Sequence, residues 1–81
     1  MVNAVYVNSA FVLVNCHFPF DVKIKNNISN IPSVTEVYRT SGRYDLLVKI
    51  DADAEDKLKE IVSKNIGTMH GIDDTVTLIV A

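Results

Sequence analysis

The stretch Thr40-Ser41-Gly42-Arg43-Tyr44-Asp45 holds the residues best suited to chemistry in this chain. Asp45 is a carboxylate beside a glycine turn. A carboxylate so placed can hold an ammonium group, while turn amides around Ser41 and Gly42 can take a carboxylate. That combination would read the backbone end of an amino acid through charge-assisted hydrogen bonds. A plainer use of Asp45 is a partnership with Arg43, Arg39 or a neighbouring backbone amide, and the residues alone leave both open. Thr75 and Thr77 share one face of a strand. Their hydroxyls would add polar contacts to a ligand, or serve simply as strand-forming side chains.

Other constellations carry less. Asp51-Ala52-Asp53-Ala54-Glu55 has the alternating oxygens of a calcium loop, but such a loop needs Gly at its sixth position and Glu at its twelfth. Asp56 and Val62 stand there instead. Cys16 and His17 are adjacent, so on a strand they point to opposite faces. His70 is distant in sequence, and without a third partner neither a zinc site nor a Cys–His nucleophile is supported. Asn27-Ile28-Ser29 matches a glycosylation sequon by chance, since no leader accompanies it. No catalytic residue, metal or cofactor is expected.

The chain has 81 residues, a formal charge of −2 and a single cysteine. That is one domain, and a small one buries only roughly 60% of the surface its unfolded chain exposes. Small domains offset this with disulfides, metals or partner subunits. One cysteine excludes an internal disulfide, which leaves association and makes the reducing cytoplasm the expected location. Lys and Arg are dispersed, so the clustered positive charge that drives nucleic-acid binding is missing. Met1 to Asn15 lacks the positive start of a leader and is interrupted by Asn3, Asn8 and Asn15. No stretch reaches the ~20 apolar residues of a spanning helix.

Changes in apolar period place the elements. Ala10 to Val14 is a continuous β-type run, extended back through Ala4 to Val7. Pro19 and Asp21 mark a break and a helix cap. Phe20, Ile24, Ile28 and Ile31 then follow at helical spacing, and the helix ends before Pro32. Val34 to Thr40 and Tyr44 to Ile50 read as strands of a hairpin turned at Ser41-Gly42-Arg43. Asp53 is expected to cap a second helix, with Asp56 at its third position. Leu58, Ile61, Val62, Ile66 and Met69 form that helix's apolar face. Gly67 should loosen its last turn before Gly71 stops it. Thr75 to Val80 is the last strand.

The order βαββαβ is the split pattern of ferredoxin-like folds, an α+β class. Two helices cover one face of a four-stranded antiparallel sheet and nothing remains for the other. A half-solvated sheet should alternate apolar and polar residues. Here Ala10, Val12 and Val14 oppose Phe11 and Leu13, and all are apolar. Tyr44, Leu46, Val48 and Ile50 oppose Leu47, and Val76, Leu78 and Val80 oppose Ile79 and Ala81. Such a patch rarely stays exposed on a soluble monomer, so a second copy is expected against it. Met1 to Ser9 is too short to cover a whole sheet.

From Ile31-Pro32-Ser33-Val34 through Gly42-Arg43-Tyr44-Asp45-Leu46-Leu47 to His70-Gly71-Ile72-Asp73-Asp74-Thr75-Val76-Thr77-Leu78-Ile79-Val80, the chain resembles the ligand-binding domain of Lrp/AsnC-type transcription regulators, also called the RAM domain. The Gly-x-Tyr-Asp hairpin and the Thr-x-Thr strand occur together at the family's separation. The resemblance implies sheet-to-sheet dimers, rings of dimers such as octamers, and amino-acid effectors bound between dimers. By the same resemblance Gly42 brings backbone amides close, Asp45 takes the ammonium, Tyr44 packs nearby, and Thr75 and Thr77 add polar contacts. Ser33 stands where the family commonly has Gly, and Gly67 where a bulkier, often basic residue is usual. Only Met1 to Ser9, an N-terminal extension, precedes the domain at 10–81. The expectation is therefore a stand-alone RAM domain or a fragment. It would act on transcription through full-length Lrp/AsnC partners rather than by binding DNA itself.

Three other readings compete. A pure assembly module would show the same apolar sheet without a ligand. A dimeric α/β-barrel enzyme would need a polar cluster between helices and sheet, where only the scattered His17 and His70 are on offer. An ACT domain usually has a glycine after the first strand, and this chain has His17-Phe18-Pro19-Phe20.

Overall fold

A computed structural model describes residues 7–80. Its elements are β1 (Asn8–Cys16), α1 (Asp21–Ser29), β2 (Val34–Arg39), β3 (Leu46–Ala52), α2 (Glu55–Glu60) and β4 (Ile72–Ile79), with α2 continuing as a π-helical segment, Ile61–Ile66. The expected extension of β1 through residues 4–6, the terminal arm before it and the position of Ala81 lie outside the described residues.

The sheet order is β2-β3-β1-β4 and every pairing is antiparallel. With both helices on one face, this is the ferredoxin-like arrangement. The register fixes which side chains share that helix-covered face. Across β3, β1 and β4 the rows are Ile50-Ala10-Ile79, Val48-Val12-Thr77 and Leu46-Val14-Thr75. Strand pleating then sends Phe11, Leu13, Leu47, Val76 and Leu78 to the opposite face. Ala10, Val12, Val14, Leu46, Val48 and Ile50 are fully buried, and Ile24, Ile28, Leu58 and Ile66 close over them. Each such aliphatic side chain contributes roughly 1.5–3 kcal/mol relative to exposure. The β-branched residues of β1 and β3 therefore hold the sheet and the core together.

The helices differ in their ends from expectation. Asp21 is the first residue of α1 rather than its cap, and Phe20 occupies the cap without a side-chain hydrogen bond. Asp21 instead reaches Arg39 (Nη2 to Oδ2, 3.0 Å). Likewise Asp53 does not cap α2, because Ala54 is the capping residue. Asp53 pairs with Lys57 one turn on, 3.0 Å away, so the ion pair outcompetes the cap. The loosening expected at Gly67 takes a definite form: its N–H donates to the Val62 carbonyl at 2.7 Å, an i→i−5 bond. A Cβ at Gly67 would stand 3.2 Å from that same oxygen, so glycine suits the wider turn.

The strand boundaries also shift. β3 begins at Leu46, not Tyr44, and β4 begins at Ile72 and ends at Ile79. Gly71 turns into β4 with φ +98°, and a Cβ there would meet Phe20 Cβ at 2.8 Å. Only glycine satisfies both the positive φ and that close approach.

Candidate functional site

β1 and β2 run parallel with β3 between them. This brings the ends of β1 and β2 and the starts of β3, β4 and α1 to one end of the sheet. Asp21, Arg39 and Asp45, far apart in sequence, thereby meet. A cleft of about 210 Å3 opens there, lined by Cys16, Phe18, Asp21, Arg39, Thr40, Asp45 and Leu46.

Asp45 lies in the loop before β3, and its own N–H donates to the Val14 carbonyl at 2.9 Å. Its carboxylate Oδ2 accepts from the Cys16 N–H, also at 2.9 Å. One carboxylate oxygen is thus committed to closing β1, just past the register shift at Asn15/Cys16. This is the backbone partnership that the sequence left open, and no other donor to the carboxylate is found among the described residues. The hairpin is closed by the Thr40 N–H, which donates to the Asp45 carbonyl at 2.9 Å, and by the Thr40 hydroxyl, which donates to the Tyr44 carbonyl.

Arg39 and Asp21 form the other wall. Asp21 is mostly shielded, with its side chain 21% exposed, whereas that of Arg39 is 61% exposed. Cys16 reports the electrostatics of the cleft. Burial, then the carboxylates of Asp45, Asp21 and Asp73, push its thiol pKa upward, and only Arg39 opposes them. Beside the cleft, His17 turns away, with Nε2 2.6 Å from Asp73 Oδ1. The His17 backbone N–H donates to the Gly71 carbonyl at 2.8 Å, which ties the β1 exit to the start of β4.

The six residues expected to bind a ligand are only partly gathered. Asp45 lines the cleft. Ser41 and Gly42 lie at the exposed hairpin tip, where Gly42 has φ +104° and no atom within 4 Å of an added Cβ. Tyr44 is half-buried beneath Arg43, whose guanidinium carbon is 5.9 Å from the ring centroid. Thr75 and Thr77 do share a face, the helix-covered one, and are half-buried there. Thr75 is two strands from Leu46, with Val14 between, a separation of ~9–10 Å at ordinary strand spacing. Sequence reasoning passed over Asp21 as a cap and Arg39 as one possible partner of Asp45. The usable signal was topological: a βαβ crossover brings the first residue of its helix near the end of its second strand. Among the described residues no group of His, Cys, Asp and Glu is placed to hold a metal ion. Among the same residues no helix is long and apolar enough to cross a membrane.

Comparison with known proteins agrees with this architecture. FFRP-DM1, a solved structure, superimposes with a TM-score of 0.88 at 28% identity, covering 91% of this chain and 99% of that one. The transcriptional regulator NMB0573 of Neisseria meningitidis, solved as an L-Met complex, shares the fold with a TM-score of 0.79 at 18% identity, covering 91% of this chain and 49% of that one. The HTH-type transcriptional regulator FL11 of Pyrococcus horikoshii is 33% identical over 75 residues, 93% of this chain and 49% of that protein. The homocitrate synthase of Sulfurisphaera tokodaii is 35% identical over 72 residues, 88% of this chain but 15% of the enzyme. This chain thus spans about half the length of the regulator it matches. The family described as the Lrp/AsnC ligand binding domain matches residues 9–81, and this chain belongs to it.

Proposed function

We propose that this chain binds an amino acid at the hairpin end of its sheet and assembles with further copies through the uncovered sheet face. Its role is regulatory and non-catalytic, as befits a family of ligand-binding domains. The observation that carries the proposal is Asp45: a carboxylate with one oxygen fixed by the Cys16 N–H, on a residue that lines a charged cleft. Such an anchored acid is a preorganised receptor for an ammonium group. The L-Met complex of the Neisseria regulator lends support, since that relative of the same fold holds an amino acid.

In this proposal Ser41, Gly42 and Tyr44 border the ligand from the hairpin. Thr75 and Thr77 contribute from the helix-covered face of β4, and since β1 separates them from Asp45 in one chain, a site using all six residues takes the hairpin from one copy and the threonines from another, at a junction other than the uncovered sheet face. Dimers, and rings of dimers such as octamers, would create those junctions. The output would be transcription regulation of metabolism in the cytoplasm, through full-length Lrp/AsnC partners. The relationship to homocitrate synthase favours a second output, in which a domain of this kind passes the signal to a biosynthetic enzyme.

A thermal-shift panel of the twenty standard amino acids at millimolar concentration tests the binding claim. At least one should raise the melting temperature, and Asp45→Ala should abolish the rise. A panel without any stabilising amino acid would remove the sensing role and leave an assembly module.

A further inference from the structure

We infer that Arg39 recognises the carboxylate of the bound amino acid, and that Asp21 holds Arg39 in place while competing with the ligand for it. This rests on the effector-binding proposal and names the second half of that site. An amino acid presents a cation and an anion on one carbon, so its receptor needs the opposite pair a few ångströms apart. Asp45 supplies the negative partner. Of the seven residues lining the cleft, Arg39 is the one cation.

The geometry of Arg39 suits the task. A guanidinium carries five N–H donors in a fixed fork. One nitrogen, Nη2, meets Asp21 at 3.0 Å, and the side chain is 61% exposed, so the guanidinium is held at one nitrogen while most of the side chain stays accessible. A carboxylate arriving from the cleft can then be bound in the paired manner typical of arginine. Asp21 is the first residue of α1 and Arg39 the last of β2, so the pair is anchored at both ends to regular structure. Lys at position 39 would offer a point charge without the fork.

The charge balance selects the ligand class. With Asp21, Asp45 and Arg39 ionised, the cleft carries two negative charges against one positive. A dianion or a phosphate would face net repulsion, whereas a zwitterion places each end against its opposite. The volume of about 210 Å3 falls below the ~300–1,000 Å3 of drug-sized ligand pockets, which suits one small amino acid rather than a peptide or nucleotide. Phe18 and Cys16 provide the apolar surface for its side chain.

Calorimetric titration of the intact chain tests this. The probes are the twenty L-amino acids and, for each that binds, its methyl ester, which keeps the ammonium and loses the carboxylate. Wild-type protein should prefer the free acid over the ester by about tenfold or more, equivalent to about 1.4 kcal/mol. Arg39→Gln should erase that preference by weakening the acid alone. Asp21→Asn, which breaks the same ion pair but frees the guanidinium, should bind the acid at least as tightly as wild type. These opposite signs separate recognition from mere loss of the ion pair, which both variants suffer equally. If Arg39→Gln keeps the acid–ester preference while Asp45→Asn abolishes binding, effector binding stands and the assignment to Arg39 is wrong. If no amino acid binds the wild-type chain, both fall together.

Discussion

The two faces of this sheet are built from the same kinds of residue and end in opposite circumstances. On one, Ala10, Val12, Val14, Leu46, Val48 and Ile50 are sealed beneath the helices. On the other, Phe11, Leu13, Leu47 and Val76 are half-buried, while Leu78 and Tyr38 remain 54% and 51% exposed. Composition alone therefore does not say which face is the core; the helices decide. The sharpest way to separate the faces is to cut into each. Ile50→Ala should cost ~2–5 kcal/mol, because it leaves a cavity that close-packed neighbours only partly fill. Urea unfolding should show this as a large fall in midpoint. Leu47→Ala, on the open face of the same strand, should cost clearly less in the lone subunit. Equal losses at the two positions would mean that the open face is already as well packed as the core.

A charge on the open face probes what covers it. Leu13→Asp projects away from the helices, from the inner strand β1 and beside Leu47 and Val76. If copies meet there, sedimentation should shift to the single-subunit mass, and the midpoint of unfolding should lose its dependence on protein concentration. The subunit itself should keep its circular dichroism, since solvent accommodates an aspartate on an exposed sheet. An unchanged sedimentation coefficient would place any self-association elsewhere, for example at the free edges of β2 and β4.

The covered face was the more legible of the two. Strand alternation assigned Ala10, Val12, Val14, Leu46, Val48 and Ile50 to one side, and the helical spacing found Ile24, Ile28, Leu58 and Ile66. Burial of apolar side chains dominates there, and periodicity reports burial directly. Polar residues were read less well. Asp21 and Asp53 have the right types for helix caps, yet each pairs with a basic residue instead, Arg39 and Lys57. Local propensity cannot weigh a tertiary partner against a backbone amide. The same limit hid half of the cleft: Asp45 was visible beside its glycine turn, whereas Arg39 and Asp21 gain meaning only when β1, α1 and β2 are stacked at one end. Thr75 and Thr77 were correctly placed on one face, but their distance from Asp45 depends on β1 lying between β3 and β4.

The hairpin end is where the covered face stops being purely apolar, and Cys16 sits at that boundary. Its thiol is raised above the ordinary range first by burial and then by Asp45, Asp21 and Asp73, with Arg39 working the other way. Alkylation by iodoacetamide requires the thiolate. The pH midpoint of the reaction in the folded chain should therefore lie above that in the urea-unfolded chain, whatever the absolute rates. The native state also binds this proton more tightly than the unfolded state does. The corresponding contribution to stability is intact below the unfolded thiol pKa and is lost as pH rises through the folded one. Asp45→Asn should move the midpoint down and Arg39→Gln should move it up, both by less than burial itself contributes. A folded midpoint at or below the unfolded one would mean that Cys16 belongs to the solvent side of the boundary, and the cleft would then begin deeper, at Leu46.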